Sequence, residues 1–299
     1  MTELDRPLSF IANEIQYRPR LRKQGPIARV LTRMLLNYED RQGRTKVLPN
    51  YLAWQKAMEA GETRPFSSFL EKTNVTLEVN DPSDYLKRQH SGPTVVIANH
   101  MFGLHDAFLV CGPLEATGRE PRLVAALNAF AAMPEFKKYL FEVDARQPPL
   151  IKDQNEISKK NAMDWLGAGN VVFMAPSGRV ASAKKRGAVP TEYPWKTFAA
   201  RLVMAHKATV LPVFVHGNSG DFASVLPSGR RIGAGLAALK MFYQYQGASF
   251  RVSFGKERRF EDFQNTEDRY KLTAEMRDMV FALSDGVDAG DTDPGVQVP

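Results

Sequence analysis

Short apolar runs alternate with amphipathic stretches along most of the chain after residue 80. Each run has the length of a β-strand, and three of them are apolar enough to be buried on both faces of a sheet. The six runs span residues 94–99, 122–127, 139–143, 170–175, 209–215 and 249–254. This alternation predicts an α/β fold, in which a mostly parallel central sheet is flanked by helices.

Residue types that favour helix ends mark the helices between these strands. Ser158 precedes a helical pattern that ends at a glycine-rich stop, and Thr266 precedes another, so each residue is expected to cap its helix. A further helix is expected over 196–207, where the apolar residues form a stripe.

The two ends of the chain differ from this pattern. Residues 1–80 read as mostly helical, with candidates at 48–61 and 66–74, and Asn80-Asp81-Pro82 interrupts the pattern. The last residues place aspartates among Gly, Pro and Val without periodicity, which is typical of disorder. The expected segments are an N-terminal helical arm (1–80), a main domain (81–284) and an acidic tail (285–299).

Positive charge is concentrated near the N-terminus. The 299 residues carry 40 Lys and Arg against 33 Asp and Glu, a formal net charge of +7. Nine basic and two acidic residues lie between Tyr17 and Lys46, so this segment accounts for the whole imbalance. Charge alone allows a nucleic acid, an anionic membrane or an acidic protein as the partner.

The apolar residues of this basic segment predict a helix that begins near Pro26 and has one apolar face. Such a helix can pack on the domain behind it, or it can lie in a membrane interface with its basic residues at lipid phosphates. The membrane interpretation assigns docking to Arg22, Lys23, Arg29, Leu31, Arg33, Met34 and Leu35.

Composition limits the class of protein. A single cysteine, Cys111, excludes an intramolecular disulfide and any cysteine-based zinc site. No apolar stretch is long enough for a transmembrane helix, and the first residues lack the design of a signal peptide. No cluster of metal ligands stands out. The protein is therefore expected to stay in the cytoplasm and to need no metal.

The segment TVVIANHMFGLHDAF holds the most informative pair of side chains. His100 follows a buried strand, and Asp106 comes one short loop later, before an apolar run. The two can meet across the loop, where Asp106 would orient the imidazole and His100 would take a proton from a substrate hydroxyl. The plainer alternative is that Asp106 only caps the next helix.

A second segment, NVVFMAPSGRVAS, places a turn after another buried strand. Pro176, Ser177 and Gly178 form the turn, and Arg179 follows it. Such a turn can aim backbone N–H groups and the arginine at an anionic head group or an oxyanion. A plain turn with a solvated arginine is the alternative.

These segments resemble the glycerolipid acyltransferase superfamily over roughly residues 93–220. The resemblance includes the Asn-His motif with its downstream Asp, the segment Pro176-Ser177-Gly178-Arg179 and the ending Pro212 to Ser219. Five residues separate His100 from Asp106, which is similar to the haemolysin-like and ornithine-lipid branch, although Met101 stands where a proline is usual and Ser177 where a glutamate is usual. The resemblance implies His100 and Asp106 as catalytic residues and, as substrate-binding residues, Asn99, Phe102, Gly103, Arg146, Pro176, Ser177, Gly178 and Arg179.

The function that the resemblance implies is transfer of an acyl group from a thioester to the hydroxyl of a lyso-lipid, with a lyso-aminolipid of the ornithine-lipid kind as the expected acceptor. Acyl carrier protein or coenzyme A would carry the acyl group, no other cofactor is expected, and the enzyme would sit on the cytoplasmic face of the inner (plasma) membrane. A 1-acylglycerol-3-phosphate acyltransferase is the runner-up. A serine lipid hydrolase would use Ser219 or Ser177, but neither lies in a Gly-x-Ser-x-Gly elbow. A nucleic-acid-binding module would need aromatic residues among its basic ones, which are missing.

Overall fold

The computed structural model describes residues 48–126, 134–143, 152–181, 190–217 and 245–285. The predicted basic helix with its docking residues, Arg146, Ser219 and the tail from residue 286 lie outside these ranges.

Seven strands form one sheet with the order β1-β7-β6-β2-β5-β3-β4. All neighbouring strands pair in parallel except β6 and β7, which are antiparallel. The strands are β1 (Thr76–Asn80), β2 (Thr94–Ala98), β3 (Pro121–Ala126), β4 (Leu140–Val143), β5 (Val171–Met174), β6 (Thr209–Val215) and β7 (Ser249–Phe254). The prediction of an α/β fold with a mostly parallel central sheet flanked by helices is confirmed, and all six predicted strands are present.

Helices cover both faces of the sheet. They are α1 (Leu48–Glu59), α2 (Pro65–Lys72), α3 (Leu104–Leu114), α4 (Lys152–Gly167), α5 (Phe198–His206) and α6 (Arg269–Phe281). Each face of the sheet has its own hydrophobic core, and alternate residues of β2 point into one or the other. Val96 and Ala98 pack with α1, α2 and α3, whereas Val95 and Ile97 pack with α4, α5 and α6. Within the described ranges, no helix combines the length and the apolar character that crossing a bilayer requires.

Strand β1 lies where the sequence pattern indicated helices. Its five residues, Thr76–Asn80, pair with β7 at the edge of the sheet, and only one of them is even partly buried. Its sequence, Thr-Leu-Glu-Val-Asn, alternates polar and apolar residues, but the run is only five residues long and directly follows helical stretches, so the pattern there was interpreted as helical. Residues 48–80 therefore contribute a strand as well as two helices.

Two predicted helix caps are wrong. Helix α4 begins at Lys152, and Ser158 lies buried inside it. The first turns of α4 are mostly polar and form no apolar stripe, so the sequence pattern did not indicate that the helix begins at Lys152. Helix α6 is capped by Asp268 instead of Thr266, because the Asp268 carboxylate accepts hydrogen bonds from the N–H groups of Tyr270 and Lys271.

The order of the strands creates the place for a site. Strand β2 lies between β5 and β6, and all three run in the same direction. Their carboxyl ends therefore meet at one edge of the sheet, which is where parallel α/β sheets usually bind ligands. His100 follows β2 at this edge, and Ser177 follows β5.

Candidate active site

His100 and Asp106 form a hydrogen-bonded pair at this edge. The imidazole Nδ1 lies 2.8 Å from Asp106 Oδ2, and the Phe102 N–H donates to both oxygens of the same carboxylate at 3.0 Å. An ionised carboxylate can only accept, so Nδ1 carries the hydrogen and Nε2 presents its lone pair. The Asp106 side chain is 2% exposed, whereas that of His100 is 19% exposed. The pair therefore has a buried orienting acid and a base that solvent or substrate can reach.

The loop between the two residues makes this contact possible. Gly103 precedes helix α3 with φ 64° and ψ −122°, a conformation that side chains oppose. It turns the chain so that Asp106, in the first turn of α3, faces back towards His100. Burial raises the pKa of Asp106, and the hydrogen bonds from His100 and Phe102 act against that rise. The Asp106 carboxylate thus bonds to the His100 imidazole and to the Phe102 N–H of the loop. A residue that only caps α3 would not need the bond to His100.

Asn99 braces the strand that carries His100. Its side-chain Nδ2 donates to the Val215 carbonyl at 2.9 Å, and its Oδ1 accepts from the Val215 N–H at 2.8 Å. Asn99 is also buried. The structure therefore uses its amide to join the carboxyl ends of β2 and β6 directly beside His100.

The turn after β5 is tied to His100 through the backbone. The Ala181 N–H donates to the His100 carbonyl at 2.7 Å, and the Gly178 N–H closes the turn onto the Ala175 carbonyl at 3.0 Å. The Ser177 hydroxyl is buried and donates to the Arg179 carbonyl at 3.1 Å. Pro176, Ser177, Gly178 and Arg179 thus lie beside the His-Asp pair, as the order of the strands requires.

Lys196 is a cation of this site that the sequence pattern did not indicate. The backbone N–H of Lys196 donates to the Pro176 carbonyl at 3.0 Å. Its side-chain Nζ lies 3.2 Å from the position that a Cβ on Gly178 would occupy. Burial lowers the pKa of Lys196, and the nearby Arg179 lowers it further. The Arg179 guanidinium stacks on the Tyr193 ring at 3.9 Å. Two cations therefore flank the turn, and within the described residues neither makes an ion pair with a carboxylate.

Glu192 is a second residue that the sequence pattern missed. It is 5% exposed, and the Trp195 indole N–H donates to its Oε1 at 3.2 Å. Its Oε2 is buried and has no hydrogen-bond partner in the described part of the chain. Burial raises the pKa of Glu192 to about 7, against the opposing effects of its polar neighbours, which include the Trp195 indole. A buried carboxyl group with a raised pKa thus belongs to the segment that Lys196 fastens to the turn after β5.

Aromatic rings fill the space below the loop. The ring of Phe102 meets those of Tyr245 and Phe250 edge to face, at 5.4 and 5.1 Å between centroids. His105 lies in the same buried cluster, 4.7 Å from Tyr245. Burial lowers the pKa of His105 to about 3, so this imidazole is neutral at neutral pH. It is therefore a core side chain, which leaves His100 as the candidate base.

A second group of side chains resembles a catalytic triad but has the wrong hydrogen-bonding pattern. His216 Nε2 lies 2.8 Å from Ser253 Oγ, and Arg251 Nη2 lies 2.9 Å from His216 Nδ1. A guanidinium can only donate, so Nδ1 must accept and Nε2 carries the hydrogen towards Ser253. Asp285 pairs with Arg251 and stays 3.7 Å from His216 Nδ1. The imidazole therefore cannot take a proton from Ser253, and the group joins β6 to β7.

Comparison with known proteins gives a distant likeness to solved structures. No family model matches the chain, and no curated protein matches its sequence. Among solved structures, the chain is similar to the 1-acyl-sn-glycerophosphate acyltransferase of Thermotoga maritima, with a TM-score of 0.45 and 16% sequence identity. The likeness covers 86% of this chain and 96% of that chain. At this distance it assigns neither an activity nor a substrate.

Proposed function

We propose that the protein is an O-acyltransferase, which moves a fatty acyl group from a thioester to the hydroxyl of a lyso-lipid. The observation that carries the proposal is the His100–Asp106 pair, with Nδ1 held at 2.8 Å and Nε2 left to act as a base. A histidine held in this way can activate a substrate hydroxyl directly. The reaction then needs no serine or cysteine of the protein as nucleophile.

The proposed reaction has two steps. His100 Nε2 takes the proton of the acceptor hydroxyl while the oxygen attacks the thioester carbonyl carbon, and a tetrahedral oxyanion forms. The C–S bond then breaks, the carbonyl reforms as an ester, and the imidazolium returns the proton to the leaving thiolate. Asp106 stays ionised throughout and stabilises the transient imidazolium.

The acceptor that we propose is a lyso-aminolipid of the ornithine-lipid kind, in which a β-hydroxy fatty amide offers the hydroxyl. The five-residue His100–Asp106 spacing, which resembles that branch, supports this choice, and so does Ser177 in place of the usual glutamate. Arg179 and Lys196 could bind a head-group carboxylate beside the turn. The same two cations would also suit a phosphate, so 1-acylglycerol-3-phosphate is the second candidate acceptor.

The donor and the place of action are part of the same proposal. An acyl group on acyl carrier protein or on coenzyme A supplies the thioester, and the basic N-terminal segment docks the enzyme on anionic lipid at the cytoplasmic face of the inner membrane. Deleting residues 1–46 should weaken binding to anionic liposomes at low salt while the rest of the chain stays folded. Unchanged liposome binding would show that the segment is not the dock.

The test of the acceptor uses purified protein and defined lipids. A β-hydroxyacyl amino-acid lipid and lysophosphatidate are each offered with acyl carrier protein thioester and with coenzyme A thioester, and the products are read by mass spectrometry. We expect an ester on the amino-acid lipid. Ester formed only on lysophosphatidate would establish the second candidate, and hydrolysis of lipid without transfer would overturn both.

A further inference from the structure

Lys196 and Arg179 are two cations of the site that make no ion pair with a carboxylate among the described residues. The Lys196 Nζ lies 3.2 Å from the position that a Cβ on Gly178 would occupy, so the ammonium lies against the turn after β5. Arg179 is the next residue of that turn, and its guanidinium stacks on the Tyr193 ring at 3.9 Å. Two neighbouring positive charges disfavour each other, and an anion bound between them would offset that repulsion.

Burial makes the missing partner costly for Lys196. The residue is half-buried, and taking an ammonium partly out of water disfavours its charge. Burial lowers the pKa of Lys196, and the positive charge of Arg179 lowers it further. Lys159 on helix α4 is also half-buried, but it pairs with Glu156 at 2.7 Å. Lys196 is thus a partly desolvated cation whose charge an incoming anion would stabilise.

The sequence around the two cations supplies little negative charge. Residues 179–196 include five basic residues and a single acidic one, Glu192. The Glu192 side chain is buried, and its Oε1 accepts from the Trp195 indole N–H at 3.2 Å. Burial raises the pKa of Glu192 to about 7, so its carboxyl is only partly ionised at neutral pH. The segment therefore has an excess of positive charge that it does not neutralise itself.

Backbone hydrogen bonds place the two cations at the same edge of the sheet as the candidate base. The Lys196 N–H donates to the Pro176 carbonyl at 3.0 Å, which joins Lys196 to the turn after β5. The Ala181 N–H donates to the His100 carbonyl at 2.7 Å, which joins the other end of that turn to the residue that follows β2. An anion held by the two cations would therefore lie at the edge where the acceptor hydroxyl reacts.

We propose that Lys196, together with Arg179, binds an anionic group of the acyl acceptor, and that Lys196 makes the enzyme prefer acceptors with such a group over neutral ones. This inference rests on the proposed acyltransferase function. The group is an oxyanion, either the carboxylate of an amino-acid lipid or the phosphate of lysophosphatidate, and both offer charged oxygens to N–H donors. Lys196 stays protonated and holds the acceptor while His100 takes the proton of the hydroxyl.

Binding of an anion can be tested without an acyl acceptor. The full-length protein is acetylated with a trace of an N-hydroxysuccinimide ester, and the rate of reaction of each lysine is read by peptide mass spectrometry. Inorganic phosphate should slow the acetylation of Lys196 at least about threefold relative to sodium chloride of the same ionic strength, because a bound anion raises the pKa of the amine. Lys159 already has a carboxylate partner and should react equally in both salts. Equal rates for Lys196 would overturn the proposal.

Kinetics with matched acceptors test the preference itself. A β-hydroxyacyl amino-acid lipid is compared with its methyl ester, and lysophosphatidate is compared with monoacylglycerol, so the second member of each pair lacks the anion. K196M keeps the length of the side chain without its charge. It should lower kcat/KM for the anionic acceptor by about tenfold to hundredfold, chiefly through KM, and by less than about threefold for the neutral one.

K159M is the control for these measurements and should leave both values unchanged. Equal losses for anionic and neutral acceptors in K196M would mean that Lys196 is only structural, and that result would contradict the proposal. A selective loss with the amino-acid lipid identifies the carboxylate as the bound group, and a selective loss with lysophosphatidate identifies the phosphate. If the wild type transfers no acyl group to any acceptor, the proposed function fails, and the acetylation rates still decide whether Lys196 binds an anion.

Discussion

Asn99 and Val215 are joined by two hydrogen bonds between the Asn99 side-chain amide and the Val215 backbone, at 2.9 and 2.8 Å. The bonds replace the strand pairing that would continue beyond β2 and β6, and they lie immediately before His100. Because Asn99 is buried, water cannot take over either bond. The position of the candidate base thus depends on a side chain that itself makes no contact with Asp106 among the described hydrogen bonds.

Replacing Asn99 by alanine should therefore impair both stability and activity. N99A leaves the N–H and the carbonyl of Val215 buried without partners, so the free energy of unfolding should fall by roughly 2 to 4 kcal/mol. Urea denaturation measures this loss. N170A is the control, because Asn170 makes one half-buried bond to the Trp165 carbonyl at the other edge of the sheet. A loss no larger than that of N170A would show that the brace is unimportant.

The His100–Asp106 pair predicts a graded loss of activity. H100A removes the base and should lower kcat by about 10²- to 10⁴-fold. D106N keeps the size of the side chain but can turn an N–H towards the imidazole, which favours the wrong tautomer, and should cost roughly hundredfold or more. Circular dichroism checks that both variants stay folded. Near wild-type turnover by H100A would exclude His100 as the base.

Gly103 should be far less replaceable than a glycine in an ordinary left-handed turn. Its φ of 64° and ψ of −122° fall where only glycine is comfortable, and an added Cβ would lie 3.4 Å from Val180 Cγ2. G103A should cost about 1 to 3 kcal/mol of stability and should lower kcat/KM, because the loop can no longer bring Asp106 to His100.

Gly118 provides the comparison for that variant. It has φ 73° and ψ 9°, and an added Cβ would meet no atom within 4 Å, so G118A should cost about 1 kcal/mol and leave kcat/KM unchanged. Thermal unfolding and steady-state kinetics of the two variants give both quantities. Equal losses of activity would mean that strain, and not the geometry of the His100 loop, is responsible.

The parts of the fold that could be predicted are those with local hydrophobic signals. Strands β2, β5 and β6 are almost wholly buried, and their apolar runs marked them correctly. Strand β1 is mostly exposed, and it exists because β7 offers it backbone hydrogen bonds. Its five residues do alternate between polar and apolar, but so short a run beside helical stretches is a weak local signal, and its partner lies about 170 residues away in the sequence.

The same contrast applies to the site. His100 and Asp106 are six residues apart, so one loop was enough to bring them together and their spacing could be interpreted. Lys196 and Glu192 join the site only because β2 and β5 are neighbours in the sheet and the turn after β5 contacts both regions. A single lysine and a single glutamate before a tryptophan carry no signal of such a contact in the sequence.

The serine hydrolase alternative makes a different prediction for two serines. The Ser177 hydroxyl donates to the Arg179 carbonyl, and Ser253 accepts from an imidazole whose tautomer Arg251 fixes. Neither serine is therefore activated. S177A and S253A should each retain transfer activity within about threefold of the wild type, since neither hydroxyl is a nucleophile. Loss of all activity in S177A, with the fold intact, would favour the hydrolase.

The buried carboxyl of Glu192 predicts how stability depends on pH. Its pKa is raised from 4.5 to about 7 in the folded protein, so the folded state binds this proton more tightly than the unfolded state. The stability from this group is fully present below about pH 4.5 and is lost as the pH rises through about 7.

Between about pH 5 and about pH 8, Glu192 should therefore lower the free energy of unfolding by about 3 kcal/mol. E192Q has no proton to lose there, so its stability should fall less over the same range, whatever its absolute value. Asp106, whose pKa burial also raises, is present in both proteins, and its contribution cancels in the comparison. Urea unfolding at several pH values measures the two curves. Parallel curves would mean that Glu192 does not carry a raised pKa.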